Sequence, residues 1–200
     1  MSDQDFEQPT SFKFTARALK IAKEHIAKYP RGRQASAVMP LLDLAQRENG
    51  CWLPRVAMDY VADLLEMPRI SVYEVATFYT MYNLEPIGRF HVQVCTNLPC
   101  LLRGSDKIID VAKNYFNIAI GETTDDKLFT LMEVECLCAC VNAPMMQIND
   151  DYYEDLDENS TLNIFTQLRN GKSPKPGSQI ARNSCEPIGG LTSLTNDVGK

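Results

Sequence analysis

The residues most able to do chemistry are cysteines, gathered in two short stretches: Cys95-Thr-Asn-Leu-Pro-Cys100 and Cys136-Leu-Cys-Ala-Cys140. Each stretch follows a run that alternates apolar and polar residues, so each sits where a strand would end and a loop begin. Four thiolates brought together at strand ends make a metal or iron-sulfur site. Five of the seven cysteines lie in these two loops, a concentration that core packing of free thiols does not produce. Disulfides are disfavoured too. The cysteine count is odd, and the acidic start Met1-Ser-Asp-Gln-Asp-Phe-Glu7 lacks the basic and apolar regions of an export peptide, which points to a reducing compartment.

Spacing favours iron over zinc. Structural zinc sites draw on tight knuckles that wrap one ion, often with histidine, whereas the first pair here is Cys-x4-Cys, a gap that can straddle two irons and that also opens the plant-type ferredoxin pattern. The second group follows 36 positions after Cys100, as Cys-x3-Cys if Cys136 and Cys140 are the ligands. That breaks the plant pattern while leaving its cluster chemistry open. A 2Fe-2S cluster is the leading expectation, with a structural zinc site as the alternative. The only histidines, His25 and His91, do not offer the paired ligands of a Rieske centre.

The elements that position these loops change character along the chain. Through about residue 85 the apolar spacing is helical. Thr15 is placed to cap a helix carrying Ala18, Leu19, Ala22 and Ile26; a second runs over Ala37–Gln46, a third from Pro54 to Leu65, and a fourth from a Ser71 cap to about Met81. Phe78, Tyr79 and Tyr82 fall at helical spacing and read as core. From Phe90 the period becomes two. Phe90–Cys95 and Phe129–Glu135 are expected strands, with a helix capped by Ser105 between them; Met145–Ile148 and Tyr152-Tyr153 form a hairpin about Asn149-Asp-Asp151; Leu162–Leu168 is a last helix. Glu133 and Glu135 take the solvent or interface face of their strand. The expected architecture is α/β: a helical bundle over 12–85, a thioredoxin-like layer over 88–170, and an extended tail over 171–200. No Cys-x2-Cys occurs, so this is not a thioredoxin enzyme. The tail is rich in Gly, Ser and Pro, and its Ile180, Ile188, Leu191 and Leu194 suit an arm that orders on a partner.

Composition narrows the function classes. With 200 residues, 44% hydrophobic and 23% charged, the chain can bury a real core. A formal charge of −6 and a pI near 5.0 argue against sequence-independent nucleic-acid binding. No apolar run approaches the length of a membrane span.

Over residues 12–160 the chain resembles the E-subunit family of respiratory NADH:quinone oxidoreductase, complex I. The likeness runs through Tyr29-Pro30, Leu41-Leu42-Asp43-Leu44-Ala45-Gln46, Trp52-Leu53-Pro54, Tyr73 to Thr80, Val94-Cys95-Thr96, Cys100 with Arg103-Gly104, and Cys136 to Asp155. The resemblance implies a helical region followed by a thioredoxin-like 2Fe-2S ferredoxin domain, with Cys95, Cys100, Cys136 and Cys140 as cluster ligands. It also implies a partner flavoprotein subunit that binds NADH and FMN and carries out hydride transfer, within the iron-sulfur peripheral arm of the complex. The chain would then be an electron-transfer subunit of an NADH dehydrogenase, without nucleic acid or a membrane span of its own. Its expected place is the cytoplasmic face of a bacterial inner membrane, or the matrix side of a mitochondrial one. NAD-linked formate dehydrogenases and NAD-reducing hydrogenases use similar subunits and are the alternative assemblies. Two positions depart from the family. Cys138 and Cys51 stand where glycine is usual; Cys138 reads as a small side chain turned away from the site, provided no positive φ is required there, and Cys51 as a buried small residue rather than a ligand. Arg103, beside the first loop, is expected to add positive charge to the cluster surroundings.

Overall fold

The computed structural model describes residues 6–190 with Thr192 and Ser193. The chain forms two compact units that part between Ile87 and Gly88.

The first unit is helical: α1 (Ala16–Ile26), a 3-10 turn (Gln34–Ala37) leading into α2 (Val38–Glu48), α3 (Arg55–Leu65) and α4 (Arg69–Phe78). The Thr15 hydroxyl accepts the Ala18 N–H at 3.2 Å, the side-chain cap its sequence position suggests. Small residues on the inward stripes, Ala18, Ala22, Ala45, Ala57, Ala62 and Ala76, let helices close around Leu41, Leu42, Val61 and Leu65. Pro54 and Pro68 stand at the N-caps of α3 and α4. Ser71 does not cap α4. It lies within the first turn and donates its N–H to the Pro68 carbonyl at 3.0 Å, because the proline already sets the entry.

Phe78 and Tyr79 are not core either. Val72 and Ala76 make the inward stripe of α4, and Phe78 falls roughly 200° round the helix from it. At Tyr79 the backbone turns extended (φ −92°, ψ 116°) and leaves the helix. Both rings are exposed and packed edge to face, 5.0 Å apart. Tyr82 alone is buried, donating its hydroxyl to the Met39 carbonyl at 3.0 Å.

The second unit is a five-stranded mixed sheet in the order β2-β1-β3-β4-β5. Its elements are β1 (Phe90–Cys95), α5 (Leu98–Leu102), α6 (Ser105–Phe116), β2 (Phe129–Val134), a 3-10 turn (Cys140–Asn142), β3 (Met146–Ile148), β4 (Asp151–Glu154), α7 (Glu158–Arg169) and β5 (Gly177–Ser178). β1 and β2 pair in parallel with Cys95 opposite Val134; β3 runs antiparallel to β1, and β4 antiparallel to β3. Alternation along β1 turns Val92 and Val94 into a core shared with α6 and α7, where Phe116, Phe129 and Phe165 meet; Phe116 stacks on Phe129 at 4.4 Å. Gly88 enters this sheet so closely that a Cβ would lie 2.8 Å from the Phe129 carbonyl carbon, which only glycine avoids.

Helix boundaries differ from the sequence reading where caps decide them. α7 starts at Glu158, four residues before Leu162, because Asp157 and Ser160 form a reciprocal capping box with bonds of 2.7 and 2.9 Å. The Ser160 backbone N–H holds the Asp157 carboxyl below the usual range. α6 is entered through Gly104 at φ +94°; Ser105 is its first helical residue, with a buried side chain. The short α5 has no counterpart in the sequence reading. The segment after Gly171, read as an extended tail, returns to the sheet: β5 pairs in parallel with β4, placing Gly177 opposite Tyr153. Ile180 and Ile188 are exposed; Leu191 and Leu194 lie outside the described residues. Among the described residues no helix is long and apolar enough to cross a membrane.

His91 is buried on β1, and burial pushes its pKa down to about 4 from 6.5. The unfolded chain therefore takes up a proton that the folded chain refuses. Stability contributed by the neutral imidazole is complete above pH 6.5 and is lost as pH falls toward 4, on the order of 2–3 kcal/mol. Urea midpoints of the metal-free chain at pH 7 and pH 4.5 should show this fall, and His91→Gln should flatten it. Phe165→Ala, which empties the centre of the second core, should cost about 3–5 kcal/mol in the same assay at pH 7.

Candidate iron-sulfur site

Because β1 and β2 are parallel and in register, the chain leaves both strands at the same edge of the sheet, and each exit is a cysteine loop. Cys95 is the last residue of β1 and is buried; its N–H donates to the Met145 carbonyl at 3.3 Å. Asn97 then caps α5 by accepting the Leu98 N–H at 3.0 Å, and one turn of helix buries Cys100. The Cys100 thiol hydrogen bonds with Cys95. Burial, that bond and the Cys95 charge push the Cys100 pKa up to about 12, against a hydrogen bond from the Met145 backbone.

The second loop lies nearer solvent. Cys136 and Cys140 place their Sγ atoms 3.3 Å apart. The Cys138 N–H donates to Cys136 Sγ at 3.4 Å, and that backbone bond is the main cause lowering the Cys136 pKa. Cys140 is raised, first by its bond with Cys136, then by burial, and further by the charges of Cys136, Cys95 and Cys138. Leu137 and Ala139, on either side of Cys138, pack against the hydrophobic cluster that holds Cys95 and Cys100, so the two thiol pairs border one apolar patch. Among the described residues no group of three or more His, Cys, Asp or Glu is already arranged as a single-ion site. The thiols stand as two pairs.

Around them is a small apolar shell, separate from the main cores, of Ala143 and Met145 with Leu137, Ala139 and Tyr152 packed against it. Tyr152 reaches across to donate its hydroxyl to the Leu137 carbonyl at 3.0 Å. Glu133 and Glu135 are solvent-exposed as expected, yet they also tie the loops together. Glu133 accepts from the Thr96 hydroxyl and Glu135 from the Asn97 amide, both at 2.6 Å. Sequence reasoning missed these ties and the Tyr152 bond. The available signal was a pair of carboxylates at alternate positions on the strand leading into a cysteine loop.

Of the remaining candidates, Arg103 is exposed in the turn between α5 and α6, its N–H bonded to the Cys100 carbonyl at 3.1 Å. Cys138 and Cys51 both sit at positive φ, +65° and +67°. The condition for reading Cys138 as an unconstrained small residue is not met, and Cys51, expected to be buried, is exposed in the turn after α2; each occupies a backbone conformation that favours glycine. Cys138 lines an open cavity of about 600 Å³ that Cys185 also borders.

The chain belongs to the thioredoxin-like [2Fe-2S] ferredoxin family, whose sequence profile matches residues 22–169. It is 55% identical over 161 residues to the E subunit of the NADH-quinone oxidoreductase of Rickettsia conorii, covering 80% of this chain and 96% of that one. It is 51% identical over 197 residues to the mitochondrial NADH dehydrogenase [ubiquinone] flavoprotein 2 of Dictyostelium discoideum, covering 98% and 80%. Among solved structures, an NAD+-reducing [NiFe]-hydrogenase in the air-oxidized state superposes with a TM-score of 0.57 at 17% identity, over 66% of this chain and 23% of that chain, a likeness of fold.

Returning Cys138 to glycine should relieve the left-handed strain. Cys138→Gly is expected to raise the unfolding free energy of the metal-free chain by about 1 kcal/mol, measured by urea denaturation, and Cys138→Val to lower it.

Proposed function

We propose that this chain is a one-electron carrier in which Cys95, Cys100, Cys136 and Cys140 would hold a 2Fe-2S cluster. The carrying observation is that two thiol pairs leave parallel strands at the same end of the sheet and border one apolar patch, in a member of a [2Fe-2S] family. When bound, the cluster supplies a site that accepts and releases a single electron. The chain's own part is to present the thiols at fixed separations and to direct backbone N–H groups at sulfur, as Cys138 does to Cys136 and Met145 does to Cys100. Apolar cover from Ala143 and Met145 limits water on the buried side.

The assembly that fits is an NADH:quinone oxidoreductase, in which this chain is a peripheral subunit. The identity of 55% to the Rickettsia conorii protein supports that assembly over a hydrogenase or formate dehydrogenase, since the hydrogenase likeness, at 17% identity, is one of fold. In this reading FMN and NADH bind to a partner flavoprotein subunit, which performs hydride transfer and hands electrons on singly. Its place is the side of the membrane where NADH is oxidised, the cytoplasmic face in a bacterium or the matrix face in a mitochondrion.

Low-temperature EPR before and after anaerobic dithionite reduction, with iron and zinc assayed on the same sample, tests the carrier. A rhombic signal that appears on reduction, with about two irons per chain, is the expected result. Zinc without visible absorption, persisting after reconstitution with iron and sulfide, would overturn it. Cys95→Ser, Cys100→Ser, Cys136→Ser and Cys140→Ser should each abolish or shift the signal, whereas Cys51→Ser should leave it unchanged.

A further inference from the structure

The strongest feature outside the thiols is a buried ion pair that reaches the site from the far end of the chain. Arg182 lies in the segment after β5, and Asp155 immediately follows β4; their side chains are 4% and 3% exposed and meet at 2.7 Å. Arg182 uses one guanidinium nitrogen, Nη2, for Asp155. The other, Nη1, donates to the Val141 carbonyl at 3.2 Å and to Asn142 Oδ1 at 3.0 Å. Val141 and Asn142 complete the 3-10 turn that begins at Cys140.

Asn142 gathers the remaining ties. Its carbonyl accepts the Asp155 N–H at 2.7 Å, and its amide donates to Glu154 Oε2 at 2.5 Å and to the Ser184 carbonyl at 2.8 Å. The strap is itself fastened to the sheet. Gln179 N–H donates to the Glu154 carbonyl at 3.0 Å, and Arg182 N–H to Ser178 Oγ at 3.2 Å.

We propose that Arg182 is a positioning residue of the cluster site: its two-armed guanidinium locks the C-terminal strap, the end of β4 and the Cys140 turn into one body and so fixes where the Cys140 thiol stands. The inference rests on reading Cys140 as a cluster ligand. Two physical points favour position over plain stability. A buried ion pair gains little net free energy over an apolar pair of the same volume, because both charges must be desolvated. Here Asp155 Oδ2 and Arg182 Nε find no partner among the described residues, so the pair is not fully compensated. What the planar fork supplies is direction, one arm on a carboxylate and the other on a loop carbonyl and an amide oxygen. The Cys140 loop needs such an anchor, since residues between β2 and the 3-10 turn belong to no strand or helix.

Lysine separates the two roles. Arg182→Lys keeps a positive charge opposite Asp155 but lacks the second arm, and Arg182→Gln removes the charge as well. The experiment loads the full chain with iron and sulfide and follows bleaching of the visible bands in excess iron chelator, together with EPR line shape and the far-UV melting of the metal-free protein. Arg182→Lys should melt as the unaltered protein does, yet lose its cluster about tenfold faster and show altered EPR g-values; Arg182→Gln should lose it at least as fast. Unaltered rates and spectra in Arg182→Lys would overturn the inference, whether or not Arg182→Gln folds. A tenfold effect in Arg182→Lys matched by a collapse of metal-free melting would also overturn it, reducing Arg182 to a fold-stabilising residue. If the unaltered chain itself takes up no iron, the ligand reading fails and the inference falls with it.

Discussion

The constraint on which the site depends is the parallel pairing of β1 and β2. Parallel strands in register end together, and Cys95 opposite Val134 means that both cysteine loops leave the sheet at one edge. An antiparallel arrangement of the same two strands would send the loops to opposite ends, well over about 10 Å apart for strands of this length. Parallel pairing needs a crossover between the strands. α5 and α6 provide it, and α6 also covers the face to which Val92 and Val94 point. The helix that closes the topology is therefore the helix that builds the core, while the short α5 ahead of it carries Cys100.

The two loops meet the same requirement by different means. Cys95 and Cys100 are held by burial, on a strand end and within a helical turn. Cys136, Cys138 and Cys140 are exposed, and beyond the packing of Leu137 and Ala139 their segment is held by polar contacts. Thr96 to Glu133, Asn97 to Glu135 and Tyr152 to the Leu137 carbonyl stitch it to the first loop and to β4. Bonds of this kind, the first two exposed and the third half-buried, contribute about 1 kcal/mol each to folding. Their number and their directions are what restrict the loop, and the arrangement suits a site open to an electron-transfer partner on one side and dry on the other.

Local chemistry is legible in the sequence; contacts across the chain are not. Thr15 as a cap, the strand Phe90–Cys95 and the turn at Asn149 each depend on neighbours within a few residues and stand in the structure, although β1 is buried on both faces and does not alternate as its sequence suggests. The clustering of thiols is visible because a cysteine count needs no fold. Ser71 and Ser105 mislead as caps because Pro68 and Gly104 beside them set the helix entries. Phe78 misleads because helical spacing does not say which side of a helix will be covered. Arg182 lies in a stretch of Gly, Ser, Pro and Lys that carries no periodicity, and its partners are 27 and 40 residues away. Nothing local marks it.

Cys138 shows how strongly the site fixes the backbone. A residue with a Cβ at φ +65° carries a local penalty that glycine does not. The conformation persists with cysteine because of what the peptide does there: its N–H points at Cys136 Sγ. Turning residue 138 to negative φ would relieve the side chain and withdraw that donor from the sulfur. The side chain borders the cavity that Cys185 also lines, and it bears on the pair as well, bonding to Cys136 and adding to what raises Cys140. The backbone geometry is thus tied to the sulfur atom through that N–H, at the cost of a conformation that glycine would adopt more easily.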